Sequence, residues 1–224
     1  MKLLQKIITS LDTVFIKMPY ERYVFPRRNT VLKNHLAGLI PQDDRVLDVG
    51  CGDGQLSYSI SQKRRDIQIK GIDPLIREKT SMPVEMFDGQ KIPYDDGSFD
   101  TVLLIDVLHH TDDPIALLKE AKRVTRQVMI IKDHMCNGLF AGTTLRFMDF
   151  VGNARYNVAL RYNYWTKQKW LAVFDSLDLT VSKLTVDLGI YPLPADWIFG
   201  RSLQFIVRLD LGHISRFDKK DCEK

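Results

Sequence analysis

The chain has 224 residues, 45% of them hydrophobic and 27% charged, which suits one globular domain and excludes disordered, collagen-like and mucin-like classes. Its 32 basic and 28 acidic residues leave a formal charge of +4, too small a surplus to single out a nucleic-acid binder. Three widely separated cysteines, Cys51, Cys136 and Cys222, make no disulfide framework and, with only His134 close to Cys136, too few ligands for a metal site; no metal is expected, and a reducing cytoplasm fits.

Residues 1–18 place Leu4, Ile7, Ile8, Leu11, Val14 and Phe15 at helical spacing, which predicts an amphipathic helix. Such a helix can cover an active-site edge; with Lys2, Lys6 and Lys17 beside its apolar face it can also give a cytoplasmic protein peripheral contact with a membrane. No signal-peptide pattern or long apolar run predicts secretion or a transmembrane span. Residues 20–28, YERYVFPRR, read as a loop because of Pro26, and Arg27 and Arg28 either meet an anionic acceptor or are solvated. A helix over about 30–39 ends before Pro41.

From Arg45 onward, strand and helix patterns alternate as in a parallel α/β sheet. Residues 46–56, VLDVGCGDGQL, read as a buried strand interrupted only by Asp48, a turn containing Gly50, Gly52 and Gly54, and a helix start. Glycines so closely spaced suit a turn with backbone conformations costly for other residues, or one that a ligand approaches closely. No Gly-Lys-Ser/Thr follows, so this is not a P-loop. The dinucleotide fingerprint would put its third glycine where Gln55 stands, which makes a nicotinamide enzyme the weaker reading. On these residues alone, a glycine turn without a ligand stays open. The following helix turns Leu56 and Ile60 inward and ends in Lys63, Arg64 and Arg65, whose charges suit a helix carboxyl end. Ile67, Ile69 and Ile72 make a second strand. Asp73 ends it about twenty residues after the glycines, where an acid can bind both ribose hydroxyls.

A short third strand is expected near 84–87 and a fourth at 99–105, apolar enough to be buried on both faces. Asp113 followed by Pro114 starts a helix that presents Leu117, Ala121 and Val124 on one face, and a strand follows at 128–131. Ligands collect beyond the carboxyl ends of such strands, which puts His109, His110, Asp133 and His134 near one edge. The stretch 135–164, rich in aromatic residues and arginine, is longer than a connection requires and reads as a lid over an acceptor. Thr166 caps the next helix, with Trp165 and Trp170 as its hydrophobic staple. Strands at 179–187 and 203–209 complete the sheet before a charged tail.

The glycine turn, the segment Gly71-Ile72-Asp73-Pro74 and the run FDGQKIPYDDGSFDTVLLIDVLHHTDDP ending at Pro114 together resemble the class I S-adenosylmethionine-dependent methyltransferases. The likeness covers about 45–134 and is nearest to the small-molecule branch that includes the quinone-biosynthesis methyltransferases. It implies a single α/β domain with a Rossmann-like, seven-stranded, mostly parallel sheet, an antiparallel last strand and helices on both faces. A helical cap (1–40), a cofactor-binding core (45–134), an acceptor lid (135–165), a carboxyl-terminal helix and strands (166–210) and a tail (211–224) would divide that domain. The implied cofactor is S-adenosylmethionine, with S-adenosylhomocysteine as product. In that reading Asp48, Gly50, Gly52 and Gly54 serve the methionine part and Asp73 the ribose. Asp88 meets the adenine amino group with backbone help from Gly89, while Ile105 and Asp106 line the methionine end. Structural alternatives are that Asp48 caps a neighbouring turn and Asp88 starts a loop.

Methyl transfer is an in-line displacement that depends on positioning. A base is needed only when the acceptor's nucleophile starts protonated, and His109, His110 and His134 are the candidates. Ile105-Asp106-Val107-Leu108 stands where an Asn/Asp-Pro-Pro-Tyr/Phe sequence would mark base-amino or glutamine N-methylation. The aromatic lid and amphipathic amino terminus favour a small apolar or aromatic acceptor, methylated on oxygen or carbon, and no nucleic-acid partner. Two rival readings are an RNA methyltransferase, served by the arginines and tyrosines of the lid, and a silent cofactor-binding module that acts through a partner.

Overall fold

The computed structural model describes residues 20–153, 161–193, 195–200 and 202–212. The helix expected at 1–18, part of the expected lid (154–160) and the tail beyond 212 lie outside the described residues. A π-helical turn (Tyr20–Val24) leads into α1 (Phe25–Ala37), β1 (Arg45–Val49), α2 (Gln55–Lys63), β2 (Gln68–Asp73), β3 (Val84–Met86) and β4 (Phe99–Ile105). A 3-10 turn (Leu108–His110) precedes α3 (Pro114–Val124), β5 (Thr125–His134), α4 (Ala141–Asn153), α5 (Lys167–Ser176), β6 (Leu179–Thr185), α6 (Asp196–Phe199) and β7 (Gln204–Leu211). The strands form one sheet in the order β3-β2-β1-β4-β5-β7-β6. β7 runs antiparallel to β5 and β6, and the remaining neighbours are parallel. This is the Rossmann-like architecture expected.

Alternation along the strands divides the core between the two faces of the sheet. Val46, Leu103, Ile130 and Ile206 pack with Leu32 and Leu36 of α1 and Ile60 of α2. On the opposite face Leu47, Leu104, Ile131 and Phe205 pack with Leu117 of α3 and Trp170 of α5. The helix starts follow the sequence signals. Asp113 accepts from the backbone N–H groups of Ile115 and Ala116, both at 3.0 Å, and Thr166 accepts from Lys169 at 3.3 Å. The Trp165 and Trp170 rings meet at 4.7 Å between centroids. Among the described residues, no helix is long and apolar enough to cross a membrane.

Several boundaries differ from the sequence expectation, each for a local reason. α1 begins at Phe25, inside the stretch read as a loop, because Pro26 lies in the first turn, where a missing N–H leaves no helical bond unmade. The carboxyl end of α1 is held by Arg64, whose guanidinium donates to the carbonyls of Ala37 (2.6 Å), Ile40 (2.8 Å) and Pro41 (2.8 Å) while pairing with Asp66. β5 runs well past 131 because Lys132, Asp133 and His134 continue it as buried polar residues. The stretch read as a lid contains α4 and returns beside β5, where Met135 bridges Trp165.

Phe205 is fully buried at the centre of this packing, its ring 5.1 Å from that of Trp170. Phe205→Ala is expected to lower unfolding free energy by about 3–5 kcal/mol in urea titrations. A loss below about 1 kcal/mol would show that the sheet face does not depend on this contact.

Candidate functional site

The neighbours of β1 are β2 on one side and β4 on the other, so the connections leave the carboxyl ends of β1 and β4 towards opposite faces and open a crevice between them. A cleft of about 980 Å³ lies there. One wall is the glycine turn after β1. Gly50, Gly52 and Gly54 all have positive φ, at 76°, 60° and 69°. A Cβ on Gly50 would fall 2.5 Å from Val107 Cγ2, and one on Gly54 the same distance from Met82 Cγ, so these two glycines are required by the packing of the turn itself. Gly52 differs: a Cβ there would meet nothing within 4 Å, and the residue lines the cleft. Its missing side chain therefore leaves backbone open to a ligand.

Asp73, at the end of β2, ties that turn in place by accepting the Gly52 N–H at 2.8 Å, while its other oxygen accepts from Leu75 N–H at 2.8 Å. Asp48 lies beneath the turn. Its Oδ2 accepts from the Ser57 hydroxyl at 2.5 Å, and its buried Oδ1 has no hydrogen-bond partner among the described residues. Burial, reinforced by the charge of Asp73 and opposed by the Ser57 bond, raises its pKa to about 6. Asp88 takes the backbone N–H groups of Gln90 and Lys91, both at 2.7 Å, which lowers its pKa; the loop-starting role thus coexists with a place beside Gly89 on the cleft wall. A polar turn open at Gly52, two carboxylates at strand ends and the orphan oxygen of Asp48 are suitable partners for a nucleoside carrying a charged tail.

The floor of the cleft is a buried charge network. Asp106, just beyond β4, adopts φ of +56°, a conformation uncommon for an L residue and met at functional sites. Its carboxylate forms ion pairs with Arg28 of α1 and, at 2.5 Å, with the buried Lys132 of β5. Burial opposes the Asp106 charge, but Lys132 and Arg28 outweigh it and hold the carboxyl well below its ordinary range. Ile105 lines the same floor.

His109 sits between two carboxylates: Nδ1 is 2.6 Å from Asp133 Oδ1 and Nε2 is 3.2 Å from Asp149 Oδ1. Burial disfavours its charged form, yet the two acids overcome that and raise its pKa to about 10. The opposite holds for His110, whose pKa falls to about 4 through burial and the neighbouring His109 charge. His134 is also lowered, first by burial and then by His109. Tyr164 donates its hydroxyl to Asp149 Oδ2 at 2.6 Å, extending the network to the segment after α4.

The three histidines picked from the sequence are therefore together, and all three line the cleft, His109 and His134 as buried residues and His110 half-buried. Lys132 and Asp149 were not legible as site residues, Arg28 was left undecided, and Tyr164 was placed only within the aromatic stretch 135–164. Lys132 did carry a signal, a charge inside an otherwise apolar strand; Asp149 carried a fainter one, an acid between Met148 and Phe150. Asp106, His109, Asp133 and His134 also offer ligand atoms within 4.8 Å of one another, a grouping that sequence spacing conceals. As arranged here, Asp106 is compensated by Lys132 and Arg28, and Asp133 by His109.

A family profile described as a methyltransferase domain matches residues 20–181. The 27-O-demethylrifamycin SV methyltransferase of Amycolatopsis mediterranei is 32% identical over 114 residues, which cover 43% of this chain and 41% of that protein. The tRNA U34 carboxymethyltransferase of Campylobacter curvus is 27% identical over 123 residues, covering 50% and 39%. The chain thus matches about two-fifths of the length of these curated relatives. Among solved structures, the plantazolicin methyltransferase BpumL, in complex with a triazolic desmethylPZN analog and SAH, aligns with a TM-score of 0.62 at 14% identity, over 93% of this chain and 94% of that one. That likeness concerns the fold.

The raised pKa of Asp48 has a defined consequence. The stability its protonated form contributes is fully present below about pH 3.8 and is lost as pH rises through about 6. Asp48→Asn is therefore expected to melt higher than the parent at pH 8, by an amount corresponding to about 1–3 kcal/mol, with the gain vanishing near pH 4. Equal or lower melting temperature at pH 8 would contradict the burial argument.

Proposed function

The chain belongs to the methyltransferase-domain family of class I S-adenosylmethionine-dependent proteins, and on that premise we propose that it moves a methyl group to a small apolar or aromatic acceptor on oxygen or carbon. The observation that carries this reading is the open backbone at Gly52 joined to the Asp73 carboxylate inside one cleft. Gly50, Gly52, Gly54 and Asp48 would hold the methionine part, Asp73 the ribose, and Asp88 with Gly89 the adenine. Ile105 would line the methionine end, with Asp106 presented beside it through its ion pairs to Arg28 and Lys132. When bound, the cofactor supplies an electrophilic methyl carbon on a sulfonium. What the chain contributes is a shaped cleft that orients the acceptor and excludes water.

His110 is our candidate to accept the acceptor's proton, because it is neutral near pH 7 and borders the cleft. A base this weak suffices if the proton leaves late, when the methylated oxygen has already become strongly acidic. His109, with both ring nitrogens held by carboxylates, acts as a positioning residue: its charge adds to burial in lowering the pKa of His110 and of His134. His134 remains a candidate because it also lines the cleft and its pKa is lowered by burial. The kinship to a relative named for tRNA, together with the arginine-rich stretch after β5, favours RNA as the second reading.

Three outcomes follow. Asp73→Ala is expected to weaken S-adenosylmethionine binding in calorimetry by about 10- to 100-fold, since a carboxylate hydrogen bond contributes roughly 1.5–3 kcal/mol; unchanged affinity would remove it from the site. With labelled cofactor and cell extract, label should enter the organic-soluble fraction, whereas label in RNA at low salt would select the second reading. On the acceptor so identified, His110→Ala should cut turnover by about 10²- to 10⁴-fold and abolish its acid limb, and an unchanged pH profile would exclude it as the base.

A further inference from the structure

We propose that Gln204 selects the methyl acceptor: its side-chain oxygen takes a hydrogen bond from the hydroxyl of a phenol-type ring lying in the cleft. Gln204 opens β7 and lines the cleft, yet only 5% of its surface is exposed. Its Nε2 donates to the Tyr191 hydroxyl at 2.8 Å, while its Oε1 is buried and has no hydrogen-bond partner among the described residues. A buried carbonyl oxygen in that state is costly, and an entering donor removes the cost. The terminal torsion of the amide is broad, so a small turn brings Oε1 to a ligand without displacing the backbone.

Topology assigns this oxygen to the acceptor side. The glycine turn follows β1 and Asp73 ends β2, whereas β7 lies on the other side of β4, beyond β5. In the β5–β7 ladder Gln204 stands directly opposite His134, so the two side chains share one face of the sheet with Lys132. The wall beside Gln204 is aromatic: the Tyr191 ring lies 5.7 Å from that of Phe199, which stacks on Phe147 at 6.2 Å between centroids, and all three residues line the cleft. Such rings suit a planar apolar body, and Oε1 requires of that body one O–H. A hydrocarbon ring of the same shape would seal Oε1 away from water without a partner, which is how a site built around a hydroxyl rejects the analogue lacking it. Calling the bound ring a substrate rests on the methyl-transfer reading; the preference for its hydroxyl does not.

The test compares 2-naphthol with naphthalene as probes, each titrated into the full chain and followed by NMR. The parent is expected to bind 2-naphthol about tenfold or more tightly than naphthalene. The Gln204 side-chain amide signal, identified by its absence from Gln204→Leu, should shift as 2-naphthol is added. Gln204→Leu should bind the two probes alike and melt no lower than the parent, because leucine fills a similar volume and removes an unpaired polar group. Gln204→Met, with an unbranched side chain, should behave in the same way. Equal binding of the two probes by the parent, binding of neither, or a preference that survives in these variants overturns the proposal. Calorimetry with S-adenosylmethionine on the parent reports the methyl-transfer reading separately.

Discussion

Parallel register is the constraint on which the site depends. Val49 pairs with Ile72 on one side and Leu104 on the other, and Leu104 pairs with Ile131. The next residue on each of these four strands is therefore Gly50, Asp73, Ile105 or Lys132, and all four line the cleft. A shift of one residue in any pairing would reverse which side chains face the core, so the apolar alternation that stabilises the sheet also fixes the row of site residues. The Gly52 to Asp73 hydrogen bond then links the turn after β1 to the end of β2.

Beneath that row lies a second requirement, which is charge compensation among largely buried groups. Asp106, Asp133 and Asp149 face Lys132, Arg28 and the protonated His109. Removing one member of such a set leaves a buried charge unpaired, which is far more costly than the net worth of any single pair. The same arrangement separates the histidines chemically: two carboxylates hold one proton on His109, while burial, reinforced by that charge, keeps His110 neutral on the cleft wall. A cluster of three identical side chains thereby acquires different protonation states from position alone.

Much of this was legible in the sequence wherever the information is local. The glycine turn, Asp73, the apolar run 99–105 and the Asp113-Pro114 start all combine adjacent residues, and the structure places them as read. Pro26 misled, because proline breaks a helix interior yet is harmless in a first turn. β5 was read too short for a physical reason: Lys132, Asp133 and His134 end the apolar pattern but stay buried because each finds a partner. Those partners are distant in the chain. Lys132 and Asp106 are 26 positions apart, and Asp133 and His109 are 24 apart, so no spacing rule could join them. The aromatic residues of 135–164 read as a lid, but the exposure of Phe150 and of Trp197 follows only once α4 and α6 are placed.

We propose that the turn at Gly52, with Asp73 and Asp88, forms a nucleoside site, and a crystal structure of the protein grown with S-adenosylhomocysteine decides this. The ribose hydroxyls are expected on the Asp73 carboxylate, the adenine beside Asp88 and Gly89, and the amino-acid tail over Gly52. Ligand density elsewhere, or an empty cleft at saturating ligand, would overturn that assignment.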